Sequence, residues 1–139
     1  MNTASETYDD IKGRGEFSLI APGVVLARAQ GHLLETHVSK FAARLDETPG
    51  TLRILVDLSE LHSYESASRK LSTAWCTDNR ARVESLQVLS RPGIVAMGVA
   101  TATMALSMVG LKARAYSDEN PFRQAVNDAK TAPAGSQEA

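Results

Sequence analysis

Apolar residues along this chain alternate between short runs and helical stripes, the pattern of a mixed α/β domain. Residues 17–20 and 24–29 are apolar runs separated by Ala21-Pro22-Gly23, and Pro then Gly suits the centre of a type II turn. They predict a hairpin whose second strand is broken by Gly31. A helix is expected over 33–47, where Leu34, Val38, Phe41 and Leu45 share one face. Thr48-Pro49-Gly50 supplies its stop. Residues 52–58 read Leu-Arg-Ile-Leu-Val-Asp-Leu, the near-continuous apolar run of a central strand covered on both faces.

Residues 59–66 read as a polar connection, and a second helix is expected over 67–84. Leu71, Ala74 and Trp75 would face inward there, with Arg69, Lys70, Arg80 and Arg82 outward. A short strand follows at 86–89. Pro92 then suits the first turn of a third helix, 92–109, with Gly110 as its C-terminal cap. A competing reading makes 94–99 a strand and starts the helix at Ala100. A last strand at 111–116 and a last helix at 120–130 complete the order β-β-α-β-α-β-α-β-α. The expected fold class is therefore α/β, a single mixed sheet of about five strands with about four helices. Residues 1–14 read as a flexible leader, 15–130 as the domain, and 131–139 as a disordered tail.

The 139 residues suffice for one core, and 43% hydrophobic with 22% charged residues is ordinary for a globular chain. Fifteen basic against sixteen acidic residues leave a net charge of −1, which argues against a nucleic-acid partner. The single cysteine, Cys76, makes no internal disulfide and suggests a reducing compartment. The polar, acidic start shows no secretory pattern, so a cytoplasmic location is expected. Residues 92–111 carry no charge and approach spanning length. Their glycines, alanines and threonines weaken insertion, so a buried helix is expected rather than a transmembrane span.

Three segments carry a family resemblance: Gln30-Gly31-His32-Leu33, Leu55-Val56-Asp57-Leu58-Ser59-Glu60-Leu61, and Val109-Gly110-Leu111. Taken in order over about residues 16–130, they resemble the STAS family, the sulfate-transporter and anti-sigma-factor-antagonist domain with its SpoIIAA-like relatives. The resemblance implies a regulatory domain that binds a protein partner, a regulator or a kinase. Members that act as phosphorylation switches open their second helix with Asp-Ser-Ser-Gly, and the second Ser accepts the phosphate. Here the tetrad reads Glu65-Ser66-Ala67-Ser68, which puts Ala67 at the phosphoacceptor position. The usual switch is therefore in doubt.

Ser66, Ser68 and Arg69 sit at a helix start, where amide donors and the helix dipole favour a phosphate or a docked partner. Simple capping is the plainer account of the serines. Asp57 and Ser59 are expected at the exit of the central strand, where open sheets bind ligands, or where Asp merely anchors a loop. His32 and His37 stand five apart and share no helix face, so no metal site is expected. Cys76 lacks a partner base, and no nucleophile elbow, phosphate loop or dinucleotide motif is present. Neither an enzyme nor a cofactor is expected. The uncharged helix 92–109 offers Ile94, Met97, Met104 and Met108 as candidates for covering an apolar ligand or a second copy of the chain. The alternative function is thus a carrier or sensor of an apolar small molecule such as a lipid.

Overall fold

The computed structural model describes residues 4–9, 13–132 and 134. The elements in chain order are β1 (Ala4–Asp9), β2 (Gly13–Ala21), β3 (Val24–Leu33), α1 (Glu35–Glu47), β4 (Leu52–Tyr64) and α2 (Ser66–Asp78). They continue with β5 (Val83–Ser90), α3 (Ile94–Met108), β6 (Ala113–Tyr116) and α4 (Glu119–Thr131). All six strands form one sheet in sequence order. β1, β2 and β3 pair antiparallel, and β3 through β6 pair parallel.

Alternation along the strands splits the apolar residues between two faces. Val25, Ile54 and Val88 enter a cluster with Phe41 of α1, Trp75 and Cys76 of α2, and Val99 and Leu106 of α3. Their chain neighbours Val24, Leu55 and Leu89 enter a second cluster with Phe122 and Ala129 of α4. The run 52–58 is therefore an interior ribbon, as its composition demands, and Leu55 is fully buried on the α4 side. At its start, Arg53 pairs with Glu84 of β5 (Nε to Oε2, 2.9 Å) and donates to the Ala132 carbonyl beyond α4.

Several expectations need correction. The sheet has six strands, because Ala4–Asp9 pair with β2 where a leader was expected, and β2 already begins at Gly13. The rest of that leader, and residues 133 and 135–139 of the expected tail, lie outside the described residues. Gly31 does not break β3. It takes a φ of +77°, and register shifts on either side let pairing with β4 continue to Leu33 and Tyr64. β4 runs on through the segment expected to be a polar connection, held by polar cross-strand pairs. Gln30 donates to Glu60 (2.8 Å), and His32 Nδ1 meets Ser63 Oγ at 2.6 Å. α2 stops at Asp78, and β5 takes up Val83 and Glu84. Residues 94–99 are helical.

Leu55 fills its site at no exposure between β4 and α4. Leu55→Ala is expected to lower the unfolding free energy by about 2–5 kcal/mol, read as a lower guanidinium midpoint at unchanged slope.

Candidate functional site

The residues expected to form one docking surface are divided by the sheet. Asp57 and Ser59 share the strand face of Leu55, the α4 side, whereas Val56 and Leu58 face α1, α2 and α3. They are not at a strand exit either, since β4 continues to Tyr64. Asp57 is an anchor. Its Oδ1 accepts from the Ser59 amide (2.9 Å) and hydroxyl (2.6 Å), and its Oδ2 accepts from Arg28 Nε across the strands (3.3 Å).

At the start of α2 the two serines differ. Ser66 is exposed and is the first helical residue, so it is not the cap. Glu65 occupies the cap, but its carboxylate turns to the Glu35 amide at the start of α1 (2.7 Å). Ser68 is fully buried, and its hydroxyl donates to the Leu33 carbonyl at the end of β3 (3.0 Å). It clips α2 to the sheet and offers nothing to a kinase. Ala67 is half-buried between them. Arg69 borders a cavity that is partly open to solvent.

That cavity, about 180 Å³, lies between the sheet and the inner faces of α1, α2 and α3. Its wall is apolar, with Phe41, Leu58, Trp75, Cys76 and Val99 among the lining. The inner face of α3 contributes small residues there: Gly98, Ala102 and Thr103. Gly98 is fixed by Tyr64, because a β-carbon on it would stand 2.3 Å from the tyrosine hydroxyl. Cores of natural proteins contain few voids of this size. One of the lining residues carries an unsatisfied polar atom turned away from the open space. The Thr73 hydroxyl is buried and meets no hydrogen-bond partner among the described residues. The neighbouring Ser72 and Thr103 hydroxyls, by contrast, donate to carbonyls of their own helices (2.8 and 2.9 Å).

The four α3 candidates lie on the other side of that helix. Ile94, Met97, Met104 and Met108 are 67–82% exposed, and none lines the apolar cavity. They form an exposed face of α3 and take no part in the cavity wall. With Thr101 they follow spacings of three, four, three and four residues, a single helical seam. Sequence reasoning found the methionines but missed this period. It also missed Thr73 and Trp75 as cavity residues, for which only a folded α2 gives the signal.

Among the described residues no three His, Cys, Asp or Glu side chains come together as a metal site. His37 is buried, and its Nδ1 accepts from the Leu34 amide (3.0 Å) at the start of α1. Burial pushes the Cys76 thiol up to about 11, so it stays protonated at neutral pH and is a poor nucleophile.

Two outcomes follow for this region. Ser68→Ala is expected to cost about 1 kcal/mol by urea melts, and Ser66→Ala less than about 0.5 kcal/mol. For Cys76, both states keep the proton below the ordinary value of 9.0. Between there and about 11 the unfolded chain loses it while the folded chain holds it, so stability falls as pH rises. The loss reaches about 2–3 kcal/mol, and Cys76→Ala is expected to remove that part of the slope in matched melts.

No family model matches the sequence, and no curated protein matches it. A solved structure from Shewanella loihica PV-4, an uncharacterized protein of the DUF3478 family with a SpoIIAA-like fold, does superpose. The TM-score is 0.55 over 88% of this chain and 91% of that one, at 9% sequence identity. No helix among the described residues is long and apolar enough to cross a membrane. On the strength of strand order, helix placement and this superposition, the chain has a SpoIIAA-like fold, as the STAS resemblance in its sequence implies.

Proposed function

We propose that the protein is a regulatory module that works by association and carries out no catalytic step. The observation that carries this reading is the outward face of α3. Four large apolar side chains there are each at least two-thirds exposed, on a helix without a charged residue. Exposed apolar patches of this kind mark interaction sites, and methionine suits them because it repacks readily. The SpoIIAA-like fold supports a regulatory role of the STAS type. A protonated, buried Cys76 supports the non-catalytic part.

The occupant that fits the seam best is a second copy of the chain. Positions 94, 97, 101, 104 and 108 are nearly symmetric about Thr101. An antiparallel pair of α3 helices would set Ile94 against Met108 of the other copy and Met97 near Met104, with Thr101 on the two-fold axis. No charge is buried in such a contact, so no desolvation of ions opposes it. One helix seam covers several hundred Å² per copy, below the roughly 800 Å² of a standard interface. The dimer is therefore weak and concentration-dependent. This is a different surface from the one expected at Ser66, Arg69, Asp57 and Ser59, residues that lie on both faces of the sheet.

Light scattering is expected to show a monomer–dimer equilibrium for the wild-type chain. Met97→Glu/Met104→Glu should give a monomer with an unchanged circular dichroism spectrum, since both residues are exposed. Thr101→Cys should form an intermolecular disulfide under mild oxidation, with Cys76 buried and silent. A wild-type chain that stays monomeric at every concentration, or a dimer indifferent to the double substitution, would overturn the reading. So would a monomer that instead gathers on anionic vesicles.

A further inference from the structure

We infer that Met97, Met104 and Met108 form a modification site for an oxidant of the peroxide class, and that their conversion to sulfoxides opens the contact made by α3. The inference rests on the association proposed above and names the chemistry that regulates it.

Sulfur is unevenly placed in this chain. Three of its four methionines lie on the outward face of α3, each at least two-thirds exposed. The fourth, Met1, lies outside the described residues. The single thiol is placed the opposite way. Cys76 is buried, and burial holds its proton at neutral pH, so it presents neither access nor a thiolate. A two-electron oxidant therefore meets the thioethers of α3 first. Leucine would supply as much apolar surface there, whereas methionine adds an atom that can be oxidised.

The sulfur lone pair attacks one oxygen of the peroxide. An S–O bond forms and the O–O bond breaks. The departing hydroxide takes the proton of the transferred oxygen and leaves as water. Each sulfur is oxidised by two electrons, and the peroxide is reduced. The step takes place on the dissociated chain, where these side chains are open to solvent.

A sulfoxide oxygen is a polar acceptor, and burying it without a donor opposes association. The seam has no donor to offer. Thr101 is the one polar residue among positions 94, 97, 101, 104 and 108, and its hydroxyl already donates to the Met97 carbonyl (3.0 Å). No lysine or arginine lies on α3. Oxidation thus converts the face that pairs into one that stays in water, and leaves the core untouched.

Hydrogen peroxide, applied to the full chain, is the probe. Peptide mass spectrometry should find one added oxygen on each of Met97, Met104 and Met108, with Cys76 still titrating as a thiol after unfolding. Light scattering should show the dimer dissociation constant raised at least about tenfold, with an unchanged circular dichroism spectrum. Methionine sulfoxide reductase with a dithiol, which removes the oxygen as water and becomes a disulfide, should restore association. For Met97→Leu/Met104→Leu/Met108→Leu, peroxide should leave the state of association as it was before treatment. A fully oxidised wild-type dimer as tight as the untreated one would sink the inference and leave the association standing. So would oxygen found on Cys76 in place of the methionines, or a leucine variant that peroxide dissociates as it does the wild type. An untreated wild-type chain that is monomeric at every concentration overturns the association and its regulation together, and that failure is read before any peroxide is added.

Discussion

Parallel strands laid down in sequence order must be joined by helices on one face of the sheet. A right-handed crossover moving steadily in one direction has no means of reaching the other side. β3, β4, β5 and β6 are such a series, and so α1, α2 and α3 lie side by side on one face. The reverse face is left to whatever follows the last strand, and α4 covers it with Phe122 and Ala129 over Leu55 and Leu89. Leu52, Ile54 and Leu55 must therefore satisfy two covers of unequal size at once. Beyond the reach of α4, the same face turns polar, and Arg28, Asp57, Gln30 and Glu60 pair across it.

The same constraint accounts for both features of α3. It comes last in the row of three, with α2 on one flank and no further crossover helix on the other. Its inner face meets Tyr64 so closely that only glycine fits at position 98, and small residues follow it along the helix. Small residues bring the backbone near the sheet at one point and leave a hole beside it. Its outer face has no neighbour among the described residues, yet it keeps Ile94 and three methionines. A helix selected only for burial would carry charge there, as the exposed side of α4 does with Arg123 paired to Glu119.

Hydrophobic pattern made the interior legible and the periphery illegible, for one reason. The run 52–58, the stripes of the four helices and the turn at Pro22-Gly23 are statements about burial, and burial is what apolar residues encode. β1 and the far half of β4 are held by backbone pairing and by Gln30–Glu60 and His32–Ser63 contacts. Neither leaves an apolar signature, so a polar strand was indistinguishable from a leader or a loop. The candidate site suffered from the same blindness. Treating Asp57 as a strand exit followed from ending the strand where its apolar residues end. The seam on α3 was legible in its spacing, whereas the unpaired Thr73 hydroxyl is a property of packing that no single sequence displays.

An alanine at position 67 is physically coherent with the rest. In this chain the start of α2 is committed to structure: Glu65 holds the first amide of α1, and Ser68 holds the end of β3. A doubly charged phosphate placed between them would stand beside the Glu65 carboxylate and loosen both ties. The association proposed for this chain then enters elsewhere, on α3, whose outer face is exposed among the described residues. A molecule seated against Val99 and Ala102 would contact the same helix that presents Met97 and Met104. Thermodynamic linkage makes any effect of that contact reciprocal: if a ligand tightens association, association must tighten the ligand by the same factor.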